Sequence, residues 1–332
     1  MLLKRILLSC IFLIGLAPIC FAQDQKTADI LTYEGINDDP YAINKLFIHI
    51  QPVYSELFVT NINIGFGIQV DYQIAKGLGL SANWRHPYAR QTDFAREVAY
   101  KNQDNVDNNK AFNYLEFGGT IHLSDREEQG KSKIILYSKR YKGNKWANKT
   151  AEKLVVPSRV RKVFGFRWGG TMFNSTTDVN KAAEQQGVAL VDEENNPVND
   201  AKLYGNINSK GIYAGFSLHV IKNVAIKPHR DFGVLVNDLH FNAFLDILYA
   251  PSISLEDIIL DGNIISGDQL ETQKVGFRAG VQGKFNKKVG LSYGAEFGYR
   301  PSLKERSFYA MFKLGFPVFG IPSKDQTRSY RN

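Results

Sequence analysis

Asn61–Ile74 reads NINIGFGIQVDYQI, and its residues alternate without interruption. Ile62, Ile64, Phe66, Ile68, Val70, Tyr72 and Ile74 fall on one side, and Asn61, Asn63, Gly65, Gly67, Gln69, Asp71 and Gln73 on the other. Alternation at period two specifies an extended strand whose faces meet different environments, because successive Cβ atoms point to opposite sides of a sheet. The run is longer than the usual strand of about 5–6 residues. Its polar face holds glycine, asparagine and glutamine but no lysine, glutamate or threonine. That combination suits a strand with its apolar face in lipid and its small polar face toward a tight barrel interior.

Nine other stretches repeat the pattern. They are Asn44–Val53, Leu78–Tyr88, Asn113–Leu123, Val163–Phe173, Gly211–Val220, Val236–Tyr249, Val275–Phe285, Val289–Tyr299 and Arg306–Phe319, and the opening strand itself extends over Val59–Ile74. The reading is an all-β, transmembrane, antiparallel up-and-down barrel of about ten strands, with twelve if two weak strands lie within 131–157 or 200–208. Glycine supports it: Gly65, Gly67, Gly118, Gly165, Gly215, Gly280, Gly294 and Gly298 all lie on the polar register. A narrow, strongly curved lumen has little room for side chains. A soluble barrel would show the reverse, a bulky apolar interior and a charged exterior.

Connection lengths sort the two ends. Outer-membrane barrels have short periplasmic turns and longer outer loops. Polar stretches 89–110, 175–208 and 251–272 fall on one side, and the tight turns Lys76-Gly77 and Asn286-Lys287-Lys288 on the other. Only 125–162 is long on the short-turn side.

Residues 1–22 read as a cleaved secretory signal, with Lys4 and Arg5 before the apolar Ile6–Cys20 run and small residues around Ala22. Residues 23–42 read as an exposed periplasmic arm, 43–319 as the barrel, and 320–332 as a polar tail. The two cysteines, Cys10 and Cys20, both lie in the signal, so no disulfide or thiol-ligated metal is expected later. The net charge of +8 is concentrated, because 125–162 holds twelve Lys/Arg against four Asp/Glu. The basic character belongs to one segment and does not describe a nucleic-acid-binding surface.

Phe308, Ala310, Phe312, Leu314 and Phe316 place apolar residues at alternate positions ending on an aromatic. This resembles the C-terminal assembly signal of bacterial outer-membrane β-barrel proteins, and the combination of signal, tail and short-linked strands is similar to barrels of Bacteroidota. The resemblance implies an outer-membrane location and contact with lipid and lipopolysaccharide. Asp238-Leu239-His240 resembles the Asp-x-His pair of omptin proteases, but the strand order puts it at the short-turn end, opposite the extracellular rim where those enzymes act. His122-Leu123-Ser124 resembles the His-x-Ser of outer-membrane lipid A deacylases and falls at that same end. Both read as interior polar residues of a non-enzymatic chain. No metal-ligand spacing and no phosphate-binding glycine loop occurs, so no cofactor is expected.

Two sets of residues carry functional expectations. Arg85, Glu116, Arg167, Asp246, Arg278, Glu296, Arg300 and Lys313, with Asp71, Asp238, Lys274 and Lys284, fall on the polar register and are expected to form a lumen charge network. It either closes the pore with paired charges or makes a selective channel that attracts anions, and the small interior favours closure. In the basic segment, Lys139, Arg140, Lys142, Lys145, Trp146, Arg159, Arg161 and Lys162 are candidates for docking an acidic periplasmic or outer-membrane protein partner. The expectation is a subunit of a secretion or outer-membrane assembly complex. The alternatives are a small pore or uptake protein and, last, a barrel enzyme with a rim active site.

Overall fold

A computed structural model describes residues 32–58, 61–75, 77–88, 102–136, 152–198, 201–228, 234–286 and 290–322. Ten strands close into one barrel. They are β1 (Asn44–Phe58), β2 (Asn61–Ala75), β3 (Leu78–Pro87), β4 (Asn113–Leu136), β5 (Glu152–Asp178), β6 (Tyr204–Ile221), β7 (Leu239–Leu255), β8 (Val275–Phe285), β9 (Ser292–Tyr299) and β10 (Phe308–Pro322). Each pairs antiparallel with the next, and β10 returns to β1. Closure leaves no unpaired edge, which a barrel in lipid requires. Residues 131–136 and 152–157 lengthen β4 and β5, and 204–208 lengthen β6, so none of them adds a strand.

Burial is inverted relative to a soluble protein. On β2, Asn63 is 0% exposed and Ile68 is 39% exposed. The outward belt includes Leu57, Phe117, Trp168, Phe216, Ile247, Phe297 and Phe312. A contiguous apolar exterior around a polar interior is the arrangement that hydrocarbon stabilises and water does not. No helix among the described residues is long and apolar enough to cross a membrane.

The two ends differ. At one, which we term the loop end, the connections after β3, β5, β7 and β9 fold over the mouth. Helix α1 (Val179–Gln186) is part of this cap; Asp178 caps its N-terminus through the Lys181 amide at 3.0 Å, and Gly187 ends it with φ 69°. Leu203, Ile258, Ile265, Leu270 and Leu303 are buried beneath the cap together with Val179 and Ala182 of the helix. Gln269 ties the cap together by donating to and accepting from the Val191 backbone.

At the other, the turn end, residues 125–136 and 152–162 of the expected basic loop are instead paired as a β-hairpin stem. Past Glu127 and Arg161, β4 and β5 pair only with each other within the barrel sheet. The stem continues for nine residues, roughly 30 Å at about 3.4 Å per residue. Residues 33–38 of the expected exposed arm also form a strand, pairing with Val224–Pro228, which pairs with Leu235–Asn237. This small sheet packs on the stem through Ile134, Val156, Val224 and Ile226. The Asp38 carboxylate accepts from the Arg159 amide at 3.0 Å, and burial pushes its pKa up. The arm is thus held by main-chain pairing and a small apolar core.

Candidate functional site

Inward side chains divide the lumen into three levels. Just below the cap is an aromatic layer of Phe58, Phe112, Tyr114, Phe173 and Tyr309, all buried. The Arg300 guanidinium enters it, 4.1 Å from the Tyr309 ring centroid and 5.1 Å from that of Phe58. Stacking on aromatic faces suits the weakly hydrated, planar guanidinium.

The second level is ionic. Glu56 accepts from Arg300 at 2.8 Å and from Arg85 at 3.2 Å. Glu116 accepts from Arg278 at 2.6 and 2.8 Å, and Asp246 accepts from Arg278 at 2.8 Å and Arg167 at 3.0 Å. Tyr114 donates to Glu116 at 2.8 Å. The carboxylates come from β1, β4 and β7, so the ion pairs span the lumen and tie its walls together. Bidentate charge-assisted bonds make such pairs strong once the groups are desolvated, and breaking one leaves a buried charge uncompensated.

Glycine makes this layer possible. A Cβ on Gly118 would stand 2.2 Å from Tyr213 Oη, and one on Gly169 2.6 Å from its Cε1. The Tyr213 ring lies flat across β4 and β5 beneath the Arg167 and Arg278 guanidiniums. Gly118 and Gly169 therefore leave the space that the Tyr213 side chain of a neighbouring strand fills.

The third level is a cavity of about 170 Å³ that reaches the turn end, where Asn44, Lys45, Gly79, Lys284 and Ser292 line it. Its inner wall includes Gln51, Asn83, Glu116, Arg167, Glu296 and Lys313, so its floor is the ionic layer. Four histidines, His49, His122, His219 and His240, share this cavity. His86 packs among Phe66 and Trp84 on the outward register, and His229 lies outside the described residues. Among the described residues no group of three His, Cys, Asp or Glu is placed to hold a metal ion. Asp71 pairs with Lys284 at 2.8 Å, and Lys313 donates to Gln69 at 3.1 Å.

All eight residues expected in the lumen network are buried there, and Asp71 and Lys284 line the cavity. Lys274 does not join them: it is exposed between the cap and β8. Asp238 is buried at the turn end. Glu56 was not expected, because β1 is longer than its alternation indicates. A bulge between Gln51 and Tyr54 shifts the register, so that Ile50 and Val53 both face outward while Tyr54 and Glu56 turn in.

The docking candidates separate. Arg159, Arg161 and Lys162 pair across the stem with Glu127, Asp125 and Glu128, each at 2.6 Å. The hydrogen bond from Arg161 holds the Asp125 carboxyl below the usual carboxylate range. Lys139, Arg140, Lys142, Lys145 and Trp146 lie outside the described residues. Of the apolar residues in this segment, Ile134 and Val156 are buried in the stem core. The Asp-x-His and His-x-Ser histidines, His240 and His122, line the turn-end cavity.

No protein-family model matches the sequence, and no curated protein matches it. Three solved structures are among those similar to the chain. The toluene transporter TodX of Pseudomonas putida gives a TM-score of 0.22 at 8% identity, over 81% of this chain and 86% of that one. The monoaromatic hydrocarbon channel CymD gives 0.22 at 6%, over 84% and 90%. The high-pH structure of Pseudomonas putida OprB gives 0.19 at 7%, over 76% of this chain and 59% of that one, so the chain spans less than two thirds of OprB. Similarity this low says nothing about what this barrel does, and the functional argument rests on its own residues.

Proposed function

We propose that this chain is an outer-membrane barrel for small polar solutes, held closed by its ionic layer and cap, and that it is not an enzyme. The observation that carries this reading is the polar cavity that enters from the turn end and stops at the layer of Glu56, Glu116, Asp246 and four arginines. With both ends of the barrel chain and the tight turns facing the periplasm, the sealed mouth faces outward and the cavity faces the periplasm. The outward belt then meets outer-membrane lipid and lipopolysaccharide.

Planar-bilayer recording tests the reading. The wild-type barrel is expected to be nearly silent, and a cap variant that disrupts the cap core (Leu203→Asp, Leu270→Asp) and also removes a cross-lumen pair (Glu116→Ala, Arg278→Ala) to open. A steady large conductance from wild type would overturn closure. Silence from a folded cap variant would overturn passage.

A second reading is favoured by one observation, the stem. It projects from the turn end with a connecting stretch, 137–151, that holds five Lys/Arg and no Asp/Glu. A basic, Tyr- and Trp-containing tip on a rigid stem suits docking of an acidic periplasmic or outer-membrane partner. Deleting 139–149 and purifying from native membranes tests it; unchanged co-purifying proteins would sink it.

A further inference from the structure

We infer that the turn-end cavity is a binding site for a small zwitterion, with an ammonium and a carboxylate on one short backbone. The inference rests on the small-solute reading and names its substrate class.

The cavity contains two charges of opposite sign that the rest of the lumen leaves unpaired. Asp71, Glu116 and Asp246 each have a cationic partner within 3.0 Å. Lys313 and Glu296 do not: among the described residues neither makes an ion pair. Lys313, 3% exposed, has its hydrogen bond with the neutral Gln69 side chain. Glu296 is also 3% exposed, and its Oε2 has no hydrogen-bond partner among the described residues. A buried charge persists only when it is paired or solvated, so both groups turn to the cavity they line, where water or a bound counter-charge meets them.

Their placement suits one molecule that brings both. Gly294 lies directly opposite Lys313, and Glu296 is two residues farther along β9. Such diagonal neighbours are about 7–8 Å apart. One small molecule carrying both charges on a short backbone can therefore face both groups from the cavity. Gly294 makes room for the Lys313 chain, because a Cβ there would stand 2.7 Å from Lys313 Cε. A lone anion would satisfy Lys313 and be repelled by Glu296, a lone cation the reverse, and a neutral polyol would leave both unpaired.

The remaining wall mixes polar side chains with Phe47, Val163, Ile221 and Phe241. Buried atoms without a hydrogen-bond partner among the described residues include both ring nitrogens of His49, Gln51 Oε1, Asn83 Oδ1 and His240 Nε2. The four residues line the same cavity, so the site offers hydrogen bonds to a polar backbone.

Equilibrium dialysis of the detergent-solubilised full chain against radiolabelled alanine tests the site, with acetate, ethylamine and glycerol as competitors. Alanine is expected to bind saturably, acetate and ethylamine to compete about tenfold or more weakly, and glycerol not to compete. Lys313→Met and Glu296→Gln should each weaken alanine binding by about tenfold or more, with heat-modifiable gel migration confirming a folded barrel. The competition series on wild type carries the test even if a variant fails to fold. Absence of alanine binding, equal competition by glycerol, or unchanged affinity in both folded variants would overturn the proposal. Bilayer recording keeps the two readings separate. Openings in the cap variant without alanine binding would overturn the zwitterion site alone, and alanine binding without openings would overturn passage alone.

Discussion

At the loop end the lumen stops against Leu203, Ile258, Leu270 and Leu303, whereas at the turn end the same ten strands leave a polar cavity lined by His49, Asn83 and Lys313. Strand count does not decide this difference, since one barrel has both mouths. What decides it is the connections. Those at the loop end carry enough aliphatic residues to build a core of their own. Those at the turn end are either too short to cover the opening or commit their apolar residues to the stem beside it. Between the two ends, the cross-lumen ion pairs separate a dry half from a wet one.

The comparison can be broken at that boundary first. Arg278→Leu leaves Glu116 and Asp246 buried without their shared partner, a loss of about 3–5 kcal/mol. The expected result is a large drop in the temperature at which heat-modifiable gel migration is lost; no shift would show that the layer does not hold the walls. Arg278→Lys should fall between, because lysine keeps the charge but not the bidentate geometry.

Next in size is the cap. Leu203 is 0% exposed, and Leu203→Ala should cost about 3 kcal/mol locally. Limited proteolysis should then cut the cap while the barrel keeps its folded gel mobility. Simultaneous loss of both would mean that the two halves fold as one unit.

The turn end should respond less and separately. Ile134→Ala should loosen the small sheet on the stem by about 2 kcal/mol, seen as faster hydrogen exchange at 33–38 and 224–228 with the cap unchanged. Smallest is the Asp125–Arg161 pair, only partly shielded from water and worth at most about 1 kcal/mol. Because Arg161 holds the Asp125 carboxyl low, the pair's contribution is complete above the unfolded-state value of about 3.9. It disappears as pH falls through the folded value. Exchange rates in the stem should therefore differ between wild type and Asp125→Asn at neutral pH and converge as pH falls through the folded value.

The barrel was legible in the sequence because lipid and lumen impose opposite demands on alternate residues, as Asn61–Ile74 shows. The stem was not legible, because residues 125–136 leave the membrane and no longer face two different environments. Its signal was charge complementarity, with Asp125, Glu127 and Glu128 on one strand facing Arg161, Arg159 and Lys162 on the other. Residues 33–38 were missed for a similar reason: a six-residue edge strand shows no periodicity long enough to notice. The cap core gathers Leu203, Ile258, Leu270 and Leu303 from separate loops, and no spacing rule joins them. Of the lumen network, alternation gave the members but not the pairs, since Glu56 and Arg300 are 244 residues apart. The bulge in β1 then hid Glu56 altogether.

The central claim is that the lumen is wet from the turn end up to the ionic layer and sealed above it. Residues on either side of the layer test it with a single thiol each. Ile207 lies in the buried core on the loop side, and Gln282 lines the cavity. With Cys10 and Cys20 removed, Gln282→Cys and Ile207→Cys barrels in nanodiscs are treated with a small water-soluble thiol reagent. The account predicts rapid labelling of Gln282→Cys and none of folded Ile207→Cys. Equal labelling of the two would contradict it.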